Sequence, residues 1–339
     1  MKYIAPSWLP GGNLQTIWPA LVSARALAPP ASAPYKRVRL ATPDADFIDV
    51  DYSITHAAPP NQASKQLMKQ PLLVLFHGLE GSSSSHYALA FAQVAQQRGW
   101  AYAVPHFRGC SGEINRAPRA YHSGDYEEIG WMLSQLKAAH VLAGGGALLA
   151  VGISLGGNAL MRWAQEAAST AAQTVQAIAS VCSPLDLAAS GVAIGQGFNR
   201  LVYTRMFLNS MKPKAMERLK LNPGLFDPKA LLASRDLYEF DNIFTAPVHG
   251  FKNTEDYWLR ASAKPHMHRI QLPALALNVI NDPFIPAWSL PKPAEVSAHV
   301  TLWHTAQGGH VGFPAGKFPA QVMAMPQAVS EWLAGHLPA

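Results

Sequence analysis

A series of short, largely apolar runs separated by helix-length segments constrains this chain more than any other feature. The runs at 72–76 (LLVLF), 100–104, 147–151 (ALLAV), 177–182 and 272–280 (LPALALNVI) are too short for buried helices and lack the alternation of a one-sided strand. They predict strands buried on both faces. Between them lie helix-spaced stretches: one after Ser82–Ser85 containing Tyr87, Phe91, Val94 and Ala95, then 125–139 capped by Ser123 or Asp125, 154–168, and a closing helix at 321–337. Strands alternating with helices imply a parallel sheet covered by helices on both faces, an α/β fold. A last strand is expected at 300–303.

The remaining segments depart from this rhythm in three places. Residues 1–34 are rich in Pro, Gly and Ala with aromatic anchors Tyr3, Trp8 and Trp18, and read as an extended segment covering the core. Residues 35–40 and 46–54 alternate apolar and polar side chains and predict an antiparallel pair at the sheet edge. From about 184 to 270 the strands stop, and patches such as LVYTRMFL and DYWLRAS predict an inserted helical lid. The main domain, with this insertion, is thus expected over 35–339.

Composition removes several function classes. Hydrophobic residues are 49% and charged residues 14% of 339, which excludes a disordered chain. A net charge of +6 is too small on this length to be the footprint of a nucleic-acid binder. Residues 200–269 hold 12 Lys or Arg against 7 Asp or Glu, so the lid carries +5 of that charge. Two cysteines, Cys110 and Cys182, provide neither a disulfide framework nor a CxxC cluster. Pro6 and Pro10 interrupt any signal-peptide core, and no run has the roughly 18 apolar residues of a membrane span, so a cytoplasmic protein without stable membrane insertion is expected.

Chemistry concentrates at sheet ends. Gly152-Ile153-Ser154-Leu155-Gly156 stands between a predicted strand and a predicted helix, the context of a nucleophile elbow. Ser154 is therefore the expected nucleophile and the Leu155 N–H one oxyanion donor. The loop His77-Gly78-Leu79-Glu80-Gly81 follows an earlier strand, and its Leu79 N–H is the second expected donor, with the His77 imidazole structural. A serine needs a histidine base oriented by a carboxylate. Asp282 follows the strand ending at 280, and His310 lies between glycines after the last strand, so these complete the expected triad. Asp186 is the rival acid; His304 is expected to point into packing. His266 and His268 are too few for zinc, Cys110 lacks an elbow, and Arg108 with Asp125 reads as an ion pair or a cap. No cofactor or metal is expected.

With these residues in place the chain resembles the α/β-hydrolase superfamily, and within it the YheT-like branch. PSWLPGGNLQTIWP, FHGLEGSSSSHY, HFRGCSGE, VGISLGGNAL and GGHVGF carry the resemblance from Pro6 to Phe313. It implies an α/β-hydrolase fold and a carboxylic-ester hydrolase acting through Ser154, Asp282 and His310. Two alternatives remain: acyl transfer to an alcohol, and a binding protein that keeps the fold without catalysis. The substrate is expected to be a small ester, anionic or lipid-like if Lys212, Lys214, Arg218 and Lys220 meet it, with Phe207 and Leu208 taking the acyl chain.

Overall fold

A computed structural model describes residues 1–23, 35–54 and 70–338. Its sheet contains eight strands: β1 (Tyr35–Ala41), β2 (Phe47–Ser53), β3 (Leu72–Phe76), β4 (Ala101–Pro105), β5 (Leu148–Ile153), β6 (Ala177–Val181), β7 (Ala274–Val279) and β8 (Val300–Thr305). Their order is β1-β2-β4-β3-β5-β6-β7-β8. From β4 to β8 every pairing is parallel, whereas β1 pairs with β2 and β2 with β4 antiparallel.

The principal helices are α1 (Gly11–Trp18), α2 (His86–Gln97), α3 (Tyr126–Leu142), α4 (Leu155–Ala167), α5 (Leu187–Ile194), α6 (Arg205–Leu221), α7 (Thr254–Ala261) and α8 (Ala324–Ala334). Alternate residues of each central strand serve opposite layers. Val74, Phe76, Ala150 and Ile178 pack with Met132 and Leu136 of α3 and Leu160 of α4. Leu73, Leu75, Leu149 and Val151 face Phe91 of α2 and Val329 and Leu333 of α8. Burial on both sides is why these strands lack alternation in the sequence. Asp125 caps α3 by accepting from the Glu128 N–H at 3.3 Å. Ser85 stands at the N-terminus of α2, but its hydroxyl accepts from the Ser82 N–H instead.

At the sheet edge, register does what polar alternation implied. Arg37 lies opposite Asp51 and Arg39 opposite Asp49, each a bidentate pair. Arg37, Ser83 and His106 hold the buried Asp51 carboxyl well below its ordinary range.

The amino terminus differs from the expectation. Residues 11–18 form a helix, because α1 is docked by specific tertiary bonds described below; 24–34 fall outside the described residues. His304 is exposed on the edge strand β8 rather than packed. Arg108 does not pair with Asp125: it is buried against Glu128 at 2.7 Å, Asp44 at 2.9 Å and Asp46 at 3.1 Å, while Arg119 takes Asp125. Between β6 and β7 the chain is helical, as expected, with α5, α6, α7 and shorter turns.

Removing Arg108 would take the ion-pair partner from the buried Asp46 and leave the buried Glu128 only Arg119, at 4.0 Å. Arg108→Leu is expected to lower stability by about 3 to 5 kcal/mol, measured by urea denaturation; a loss under about 1 kcal/mol would show that the site relaxes.

Candidate active site

The strand β5 ends at Ile153 and α4 begins at Leu155, so the chain must reverse direction at one residue. Ser154 does this at φ 51° and ψ −120°, a conformation that costs a non-glycine residue on the order of 1–3 kcal/mol. Its N–H is held by the Val181 carbonyl of β6 at 2.9 Å. The turn closes only because its neighbours lack side chains. A Cβ on Gly156 would lie 2.5 Å from the His77 carbonyl oxygen, and one on Gly157 2.0 Å from Ser183 Oγ.

Opposite the turn, the His310 loop follows β8 and Asp282 follows β7. His310 Nε2 lies 2.9 Å from Ser154 Oγ, and His310 Nδ1 lies 2.8 Å from Asp282 Oδ2. The Asp282 side chain has no exposed surface, and its other oxygen accepts the Phe284 N–H at 2.8 Å. The Phe284 ring covers His310 at 4.3 Å between centroids. Asp186, the rival acid, is spent on α5, whose Ala189 N–H it accepts at 3.0 Å.

The loop after β3 faces Ser154 from the other side. The Gly78 N–H donates to the Tyr87 hydroxyl and the Glu80 N–H to that of Tyr121, each at 3.0 Å. Between them the Leu79 N–H has no partner among the described residues, and neither has the Leu155 N–H at the start of α4. Leu79, Ser154, Leu155 and His310 line one cavity. His77 is structural: its Nδ1–H donates to the Gly78 carbonyl, its Nε2 accepts the Phe107 N–H, and burial lowers its pKa to about 3.

The residues that orient the histidine loop escaped the sequence reading. Three successive amides of the loop each reach a separate acceptor: Gly308 to Gln15 Oε1 at 2.9 Å, Gly309 to Asn281 Oδ1 at 3.1 Å, and His310 to Thr16 Oγ1 at 2.8 Å. Asn281 in turn donates to Gln15 at 3.0 Å. Gln15 and Thr16 are buried on α1. The available signal was a Gln-Thr pair in an otherwise apolar motif, which carried no role until α1 was placed.

The helical segment between β6 and β7 supplies part of the cavity wall and uses several of its cations internally. Lys214 pairs with Glu80 at 2.7 Å, tying α6 to the loop after β3. Arg218 is buried and donates to the carbonyls of Ala117 and Arg119; Lys212 donates to those of Leu232 and Ser234. The expected cationic surface is thereby reduced to Lys220, which is exposed. Phe207 lines the cavity, but Leu208 packs with Phe240 and Phe244 in the insertion's own core. Burial pushes the Cys110 thiol up to about 12, as befits packing rather than nucleophilic attack. His266 and His268 share a turn (Lys264–Arg269), their rings 6.4 Å apart.

A parallel sheet with a serine on a strained strand-to-helix turn, facing a histidine and a buried acid, defines the α/β-hydrolase class. The family model for the alpha/beta hydrolase fold matches residues 71–316, and the chain belongs to that family. It is 37% identical over 329 residues to the Escherichia coli (strain K12) protein named "Putative esterase YheT", covering 96% of this chain and 91% of that one. Human "Phospholipase ABHD3" is 24% identical over 335 residues, covering 98% and 78%. The solved Pyrococcus furiosus esterase Pf2001 shares the fold at a TM-score of 0.54 and 15% identity, covering 93% of this chain and 96% of that one. No helix among the described residues is long and apolar enough to cross a membrane.

Two outcomes follow from this geometry. Thr16→Val combined with Gln15→Leu is expected to slow fluorophosphonate labelling of Ser154 by on the order of tenfold or more, with the circular-dichroism spectrum retained; an unchanged rate would detach α1 from the histidine. Stability should also fall in mild acid. Burial lowers His77, His122 and His249 to about 3 and His86 to about 4. Their stabilising neutrality is complete above the ordinary value of 6.5 and is lost as pH falls towards those values. The melting temperature should therefore drop steadily from pH 7 to 4, and a flat profile would contradict the burial of neutral imidazoles.

Proposed function

We propose that this protein is a serine esterase that cleaves carboxylic esters of short to medium acyl chain through an acyl-enzyme on Ser154. The observation that carries the reading is the unbroken hydrogen-bond chain from Asp282 through His310 to Ser154 at the mouth of an apolar cavity. The names of the relatives, an esterase and a phospholipase, agree with ester chemistry.

The steps follow from the geometry. His310 Nε2 takes the hydroxyl proton as Ser154 Oγ bonds to the ester carbonyl carbon, and Asp282 stabilises the imidazolium that forms. The oxyanion develops against the Leu79 and Leu155 N–H groups, which need no reorganisation to receive it. The His310 proton then passes to the leaving alkoxide, the ester C–O bond breaks, and an acyl-enzyme remains. Water attacks with His310 again as base, releasing the acid and restoring the Ser154 hydroxyl. Every proton moves among Ser154, His310, substrate and water, so the reaction as proposed draws on no cofactor. The insertion acts as a lid, with Phe207, Met211, Phe240 and Trp258 giving the acyl chain an apolar wall.

Ser154→Ala is expected to reduce ester cleavage by on the order of 10⁴ or more while keeping the wild-type melting curve. Asp282→Asn should cost orders of magnitude and Asp186→Asn at most about tenfold. A Ser154→Ala protein with a tenth of the activity would end the assignment, and the reverse ranking of the two aspartates would move the acid to Asp186. Esters of graded chain length measure acyl preference, and ethyl-ester formation in added ethanol would reassign the second half-reaction to acyl transfer.

A further inference from the structure

We infer that the outer face of the helical segment 197–206 is a docking surface for an anionic lipid bilayer, on which the protein adsorbs without spanning it. Two independent observations meet there. The first is a stripe of exposed apolar side chains: Phe198 is 51% exposed, Leu201 67%, Val202 37% and Met206 55%. Their spacing of three, four and eight residues places them on one face of the helical run that leads into α6. The opposite face carries buried Tyr203 and Thr204, and Phe207 reaches the cavity of Ser154.

The second is charge. From 187 to 216 the sequence contains no Asp or Glu. Arg200 and Arg205 are exposed beside the stripe and make no ion pair among the described residues. Glu239, whose carboxylate feels Arg200, is already held by Arg235 at 2.8 Å. Residues 24–34 and 55–69, which lie outside the description, contain no Asp or Glu.

An apolar stripe flanked by unpaired cations is the composition of an interfacial helix: the apolar groups enter the headgroup boundary while the arginines meet lipid phosphates. A second copy of the chain fits less well, because a self-complementary contact would bring Arg200 and Arg205 of one copy towards those of the other. Only one helix would then separate the lipid from the cavity wall at Phe207. That arrangement suits an ester delivered from a membrane, although adsorption does not require ester cleavage.

The test is flotation of the full chain with vesicles of phosphatidylcholine alone or mixed with phosphatidylglycerol. Binding is expected to the mixed vesicles only and to weaken as salt shortens the screening length. Phe198→Ser with Leu201→Ser should lower the bound fraction at constant salt, and Arg200→Glu with Arg205→Glu should lower the partition constant about tenfold or more. Both variants should cleave a soluble short-chain ester at the wild-type rate, which shows that they fold. Ser154→Ala should bind like wild type, so a failure of the esterase reading leaves adsorption standing. No binding to mixed vesicles, or binding that survives both double substitutions, would overturn the inference. A wild-type dimer by light scattering that Phe198→Ser with Leu201→Ser makes monomeric would overturn it in favour of a contact between copies.

Discussion

The reversal of the chain at Ser154 is the constraint on which the rest depends. A strand must end and a helix begin within one residue, and the serine accepts a left-handed backbone so that its hydroxyl stands clear of the sheet. That strain persists only because the surroundings over-determine it. The Val181 carbonyl holds the amide, while Gly156 and Gly157 allow the chain from Phe76 to His77 and Ser183 to close in. The close approach also brings the loop after β3 beside the serine, so that the Leu79 and Leu155 amides, without partners among the described residues, line the same cavity.

The other half of the site is assembled from the two ends of the chain. His310 sits on a glycine-flanked loop that would be free to wander if only Asp282 held its imidazole. Instead, each of three consecutive amides has its own acceptor, and two of those acceptors belong to α1. The contact is close: a Cβ on Gly12 would lie 1.8 Å from the Asn281 carbonyl oxygen, and one on Gly312 the same distance from that of Gln15. Docking an early helix against a late loop fixes the histidine by backbone bonds, which are stiffer than a side-chain contact alone.

The insertion shows how charge counted along a sequence can mislead. Its excess of cations looks like a surface for anions, yet Lys212, Lys214 and Arg218 complete helix ends, a loop and a carboxylate partner inside the protein. Arg200 and Arg205, which face outward, stand instead beside an apolar stripe. The same segment thus contributes a wall to the cavity on one side and an unsatisfied surface on the other.

By itself the sequence determined the layered fold, because doubly buried strands must be short and apolar and the helices between them must be periodic. It also determined the candidates Ser154, Asp282 and His310, since an elbow needs glycines around its serine and parallel strands deliver their following loops to one edge. Strand limits shifted by at most two residues, as with β7, which starts at Ala274 rather than Leu272. Only the tertiary structure decided that residues 11–18 are helical, that Gln15 and Thr16 hold the histidine loop, and which cations are spent internally. Such bonds join residues up to nearly three hundred positions apart, and local periodicity contains no information about which distant backbone amide a buried side chain will meet.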